Sequence, residues 1–185
     1  QLKEMSARCA LLKLQRAGVL SLPPPRSGPQ CARPIPLPPA SPQLRGSVES
    51  LQAVELIPVG GPRSAAARLW KQLVATHHYL GYRPACGAQL RYLIRCADGV
   101  IGALSFSAAA WRLAARDQWI GWTAAQRAQR LSQVLNNTRF LILPWVRVPH
   151  LASHVLRGIG QRLREDWRRK YAQPLSLVET FEPPT

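Results

Sequence analysis

Two histidines four residues apart, His150 and His154, flank Ser153 where an apolar strand-like run gives way to a helical pattern. At that spacing both imidazoles face one way on a helix, so they can orient one substrate. No Glu or Asp stands beside them to complete a ligand set, which favours a polar lining and leaves no metal site. His150 is then the group to accept a proton, and the backbone N–H groups of Leu151, Ala152, Ser153 and His154 are free at the helix start for an anion or a carbonyl. Just upstream, Asn136, Asn137, Thr138 and Arg139 line up four hydrogen-bonding side chains. They either cap the preceding helix or offer a bidentate edge to a base, with Arg139 on a phosphate or carboxylate. His77, His78 and Tyr79 close an earlier helix, near Tyr82. One imidazole belongs in the core, the other, His78, is a candidate base, and the two tyrosines can stack a ring. Asp117, alone among arginines in ARDQW, is either an ion-pair partner of Arg116 or Arg112 or a catalytic carboxylate. Most of Trp111, Trp119, Trp122 and Trp145 are expected in the core.

The elements that must hold these groups follow from periodicity. Leu2, Met5, Cys9 and Leu12 recur at helical spacing, Gly18 stops that helix, and Val19 to Leu22 reads as a short strand. Helix, glycine and strand make the second half of a winged helix, with Lys3, Arg8, Lys13 and Arg16 open to phosphates; a plain amphipathic helix is the alternative. Residues 1–22 form this remnant, 23–52 a Pro-rich linker and 53–185 the main domain, since eleven of the 17 prolines lie between Ser21 and Pro62. Within the domain VELIPV is a first strand. Ser64 caps a helix with Ala66, Trp70, Leu73 and His77 inside, and Gln89 to Ala97 and Val100 to Ser107 form a hairpin about Asp98-Gly99. Ala108 to Arg116 reads as a short helix. Thr123 and Gln126 form a capping box for another, with Ala124, Ala128, Leu131 and Leu135 on its buried side. Arg139 to Leu143 is a buried strand, and a long helix from Pro149 to Tyr171 turns Leu151, Val155, Ile159, Leu163 and Trp167 inward. Its Arg157, Arg164 and Arg168 share another face, and Leu175 to Phe181 is the last strand.

The 185 residues carry 25 Lys and Arg against 9 Asp and Glu, a formal charge of +16. Such an excess points to a polyanion, with an Arg-rich codon bias as the plain alternative. The four cysteines show no C-x-x-C spacing and read as reduced, structural thiols. No apolar run is long enough to span a bilayer and none reads as a signal segment, so a cytoplasmic bacterial protein is expected. Opening at Gln1 inside a helical pattern and ending in ETFEPPT after a strand, the chain reads as a piece of a longer frame. Walker, dinucleotide-binding and G-x-S-x-G signatures are missing, as is the paired-carboxylate segment of a two-metal nuclease.

The runs HHYLGY (His77 to Tyr82), GALSFSAAAW (Gly102 to Trp111), ARDQWIGW (Ala115 to Trp122) and NNTRFLILPWVRVPHLASH (Asn136 to His154) resemble the DruA family over Leu69 to Phe181, and more loosely over Gln1 to Pro25. That resemblance implies a place in the Druantia anti-phage system or in mobile elements, beside helicase or transposase partners. The order of elements is also similar to the acyltransferase fold called GNAT, an α/β (α+β) mixed sheet flanked by helices. It implies an acyl-CoA cofactor whose pyrophosphate would sit on Leu151 to His154, although WVRVPHLASH lacks the usual glycine. The first expectation is therefore a nucleic-acid-associated accessory protein that holds DNA through Arg157, Arg164, Arg168 and the N-terminal helix. An acyl-transfer or base-modifying enzyme is the second, and an inactive fragment the third.

Overall fold

The computed structural model describes residues 10–11, 13–21, 43–85 and 87–181, and the chain divides into two units, residues 1–33 and 34–185. In the first, a helical stretch ends at Gly18 (φ 71°), where the N–H groups of Gly18 and Val19 turn back to the carbonyls of Gln15 and Leu14. This Schellman closure requires a left-handed residue, hence the glycine. Residues 19–21 are not in a strand, which corrects the strand expected there; Val19 is exposed and has no ladder to join. Lys13 and Arg16 are exposed on the helix, whereas Lys3 and Arg8 lie outside the described residues.

The second unit is built on a mixed sheet in the order β2 (Glu55–Pro58), β3 (Gln89–Cys96), β4 (Gly99–Ala108), β5 (Val134–Ile142) and β7 (Leu177–Thr180). The first four strands are antiparallel and β7 joins β5 in parallel, which requires a long crossover. That crossover contains α4 (Leu151–Tyr171), while α1 (Ala65–His77) joins β2 to β3, and α2 (Ala114–Ile120) and α3 (Ala124–Arg130) join β4 to β5. A sheet with flanking helices makes the class α+β, as expected. A separate parallel pair, β1 (Leu44–Arg45) with β6 (Val146–Arg147), ties the segment before β2 to the loop before α4.

Alternation along β3 sorts the two faces. Tyr92 donates to Asp166 of α4 (2.9 Å), whereas the neighbouring Arg91 lies over the Trp70 ring of α1 (5.1 Å), so the two helices cover opposite faces. On the α1 side, Ser64 accepts from the N–H of Ala67 and starts the helix. The Trp70 indole then donates to the Leu104 carbonyl (3.1 Å), so the buried ring keeps a hydrogen-bond partner. On the other side Leu151, Val155, Ile159, Leu163 and Trp167 are all buried, as their spacing requires. β4 lies between β3 and β5, and at Gly102 its neighbours leave no room for a side chain. A Cβ there would collide with the Leu141 carbonyl and come within 2.8 Å of Ile94 Cδ1.

Several expected boundaries move. The hairpin turn is Ala97-Asp98, with Gly99 (φ 118°) already paired to Cys96. Ala108 to Leu113 is not helical; β4 runs to Ala108, and the helix begins only at Ala114. α3 has the capping box between Thr123 and Gln126, yet Ala124 and Ala128 are exposed, because the buried Leu131 lies in a 3-10 turn past the helix end and the buried Leu135 in β5. β5 starts at Val134, so Asn136 and Asn137 are strand residues and do not cap a helix. Pro149 precedes α4 rather than opening it. With His150 at φ 61° and ψ 4° and the Leu151 N–H on the Val148 carbonyl, the turn has a type II pattern, which suits Pro in its second position. Of the four tryptophans, most of them expected inside, Trp111 and Trp119 are exposed and Trp122 and Trp145 half-buried. Leu51, within the stretch whose composition reads as linker, is 1% exposed in the core, so the folded unit reaches back to about Leu44.

Two substitutions probe the tight strand approach and the helix cap. Gly102→Ala forces β4 away from β5 and lowers stability by about 1–3 kcal/mol, read as an earlier urea midpoint. Thr123→Ala, at an exposed cap, costs about 1 kcal/mol in the same measurement.

Candidate functional site

A bulge decides which side chains β5 presents. Ser105 pairs with Arg139 but Phe106 pairs with Asn137, which makes Thr138 the extra residue. In an uninterrupted strand Asn136 and Arg139 would point to opposite faces; the insertion puts both on the α1 side, opposite Ser107 and Ser105, and leaves Asn137 on the α4 side. Thr138 Oγ1 sits 2.9 Å from Ser105 Oγ. The Asn137 carboxamide, in the orientation that satisfies its hydrogen bonds, donates to the carbonyls of Ser105 and Arg139 (3.1 and 3.0 Å) and closes the irregular stretch.

Beyond Asn137 the outer edge of β5 has no strand partner among the described residues, since β7 pairs with it only as far as Thr180. A groove of about 860 Å³ opens there, between α4 and the residues that follow α1. His78, Tyr79 and Arg139 stand on one wall, Leu156 and Gly160 on another, and Val178 to Phe181 on a third. Asn136, Thr138 and Arg139 also line a smaller pocket of about 330 Å³ on the α1 side, which Tyr82 helps to enclose. The structure therefore brings Asn136, Asn137, Arg139, His78 and Tyr79 together around one groove, with Tyr82 next to it.

The electrostatics of this region are set by Arg139. It is half-buried, its Nε donates to the Gly81 carbonyl (3.0 Å) and its Nη1 to the Thr138 carbonyl (2.5 Å). Among the described residues it has no carboxylate partner. Burial above all, helped by Arg83 and opposed by Tyr79, holds its pKa below the ordinary arginine value. His78 is buried and stacks on Tyr79 with ring centroids 4.7 Å apart. Its Nδ1 accepts the Leu80 N–H (3.2 Å), and burial together with the charge of Arg139 lowers its pKa. The neutral imidazole is thus favoured, with its proton on Nε2. Asn136 Oδ1 is buried with no hydrogen-bond partner among the described residues, and leaving such a group unsatisfied costs about 1–3 kcal/mol.

The other expected residues lie elsewhere. His150, Ala152, Ser153 and His154 are exposed at the start of α4 and Leu151 is buried beneath them, and none lines the groove. Asp117 is one joint of an ion-pair knot. Its Oδ1 meets Arg116 and its Oδ2 meets Arg127, both at 2.9 Å, while the buried Arg116 also reaches Glu179 of β7 (3.4 Å). Burial pulls the Asp117 pKa up, but the hydrogen bonds and charges of Arg116 and Arg127 outweigh it and hold the carboxyl below its ordinary value. A carboxylate so occupied suits anchoring α2 better than taking protons. Arg157, Arg164 and Arg168 are exposed along one side of α4 and form no ion pair among the described residues. Sequence reasoning missed Arg83 and Arg91, which line the smaller pocket. The available signal was Arg91 on a strand whose neighbours on both sides are apolar or aromatic.

No group of three or more His, Cys, Asp or Glu side chains able to hold a metal ion occurs among the described residues. No helix among them is long and apolar enough to cross a membrane. No curated protein and no solved structure is detectably similar to this chain. The family model described as Druantia protein DruA, by contrast, matches residues 41–184. That span includes the bulged strand, the groove and every strand of the sheet, and by it the chain belongs to the DruA family, whose membership ties it to the Druantia anti-phage system.

Proposed function

We propose that this chain is a nucleic-acid-binding accessory component of its defence module, docking on phosphates through the outer face of α4. The supporting observation is the row Arg157, Arg164 and Arg168, exposed and without ion pairs among the described residues, in a chain of net charge +16. Positions seven and four residues apart stand roughly 10 Å and 6 Å apart along a helix, a span that phosphates of one strand can follow. Asp166 on the same helix does not cancel this row, since it is occupied by Tyr92, Arg162 and Arg169. Partner proteins of the module, a helicase or a transposase, would supply the motor or strand-cutting chemistry.

An acyl-transfer or base-modifying enzyme is the second reading. One feature favours it: β5 and β7 run in parallel only over Val134–Asn137 and Leu177–Thr180, and a groove opens where the pairing ends. The start of α4 argues against an acyl-CoA pyrophosphate shelf. The Leu151 N–H is engaged by Val148, and His150 instead of glycine occupies the left-handed position, so the backbone is shielded by a side chain.

A duplex DNA titration followed by anisotropy tests the first reading. Affinity is expected to fall steeply between about 50 and about 200 mM salt. Replacing Arg157, Arg164 and Arg168 together by Gln should flatten the log–log slope by roughly 2.7, about 0.9 for each phosphate contact. Binding that is absent at low salt, or indifferent to the triple substitution, overturns the proposal.

A further inference from the structure

The smaller pocket, on the α1 side of the sheet, holds positive charge that the fold does not neutralise. Arg83, Arg91 and Arg139 line it, and no Asp or Glu is among the described lining residues; Glu179, paired with Asn136 across the strands, is held by Arg116. Two of the three are fixed in place by neutral groups. Arg139 is aimed by the carbonyls of Gly81 and Thr138. Arg91 donates through Nε and Nη2 to Gln89 Oε1 (3.0 and 2.8 Å) and is backed by the Trp70 ring. Half-buried guanidinium groups are ordinarily matched by carboxylates, because desolvating an unmatched charge is costly. Among the described residues no carboxylate supplies the match, and an anionic ligand would. A second observation points the same way: Asn136 Oδ1, on the same wall, is buried without a donor, so the occupant should also bring an O–H or N–H group. The buried hydroxyls of Ser105 and Ser107 supply neutral polar surface at the floor.

We propose that this pocket binds a phosphate monoester, held by the guanidinium groups of Arg83, Arg91 and Arg139, with a hydroxyl of the ligand donating to Asn136. A dianionic phosphate offers more acceptor oxygens to several arginine forks than one carboxylate does, and a hydroxyl on the monoester's organic group provides the donor that Asn136 lacks. About 330 Å³ is room for the phosphate and an attached sugar. Two sources share this chemistry, the phosphorylated end of a nucleic-acid strand and a free nucleoside monophosphate. The inference deepens the nucleic-acid reading but uses side chains on the face of the sheet opposite α4, so the two can fail separately.

Isothermal titration of the full chain with inorganic phosphate, a nucleoside monophosphate, and one short single strand bearing either a 5′-phosphate or a 5′-hydroxyl tests it. The monophosphate is expected to bind, and Arg139→Gln should weaken it about tenfold or more. Because Arg139 also ties Gly81 to β5, Arg83→Gln serves as the second variant; Arg83 is exposed and forms no hydrogen bond or ion pair among the described residues, so its loss should weaken binding without lowering the melting temperature. A 5′-phosphate strand that outcompetes both its 5′-hydroxyl counterpart and the free nucleotide supports the proposal with strand ends as the source, and a free nucleotide that binds equally well supports it with mononucleotide as the source. The proposal is overturned if neither phosphate nor any monoester binds the wild-type chain, or if Arg83→Gln and Arg139→Gln both bind the monophosphate as tightly as wild type. Duplex affinity along α4 is measured independently, so a failed duplex titration with intact monophosphate binding rejects polymer docking alone.

Discussion

One extra residue in β5 governs the chemistry this domain can offer. Without Thr138 as a bulge, strand alternation would send Asn136 and Arg139 to opposite faces and divide the polar groups between two sites. With it, the α1 face of the sheet collects Arg91, Ser105, Ser107, Asn136 and Arg139 side by side. The cost of the interrupted ladder is met locally, by the Ser105–Thr138 hydroxyl contact and the carboxamide of Asn137. Bulges re-aim side chains in this way wherever an unbroken strand would point them wrongly. This one stands where β7 leaves the edge of β5 open, so re-aimed groups and open space coincide.

Charge is distributed by a related economy. Among the described acidic residues, Asp166 takes Arg162 and Arg169, Asp117 takes Arg116 and Arg127, Glu179 shares Arg116, and Glu55 takes Arg95. The buried carboxylate of Asp166 also receives the Tyr92 hydroxyl and so fastens α4 to β3, while the burial of Tyr92 and its bond to Asp166 push the phenol pKa up. Arg116 fastens α2 to the end of β7. Carboxylates are therefore largely used as joints between elements. A chain so poor in acids leaves many cations without an ion pair among the described residues, and those on the outer face of α4 and around the smaller pocket are two groups of them.

Much of this frame was legible in the sequence. The inward positions of α4, the Ser64 and Thr123 caps, and the alternation Leu90, Tyr92, Ile94, Cys96 each rest on a local rule that tertiary context left in force. What was not legible depended on long-range pairing. Asn136-Asn137 looks like a cap or turn because Asn favours both, and only registration against β4 and β7 makes it strand. Most of the tryptophans near α2 are expected in the core, yet the buried residue of that helix is Arg116, held by carboxylates 1 and 63 positions away. The bulge itself has no signature in the NNTRF run, so the convergence of Asn136 with Arg139 could be seen only in three dimensions.

The start of α4 shows how a plausible sequence argument can locate the wrong end of an element. A strand, a loop and a Pro-led helix do suggest free N–H groups, but Pro149 is used to make a turn, and that turn places His150 in a left-handed conformation with its side chain exposed. The segment before β2 then pairs with β6 and covers part of the same corner. Space for a ligand lies farther along the helix, at Leu156 and Gly160, where the side chains are small enough or angled enough to leave the β5 edge uncovered. A ligand entering there meets Arg139 beside His78 at the end of α1, away from the start of α4. In the proposed reading, recognition rests on guanidinium groups of the sheet and on the outer cationic row of α4 rather than on a helix dipole.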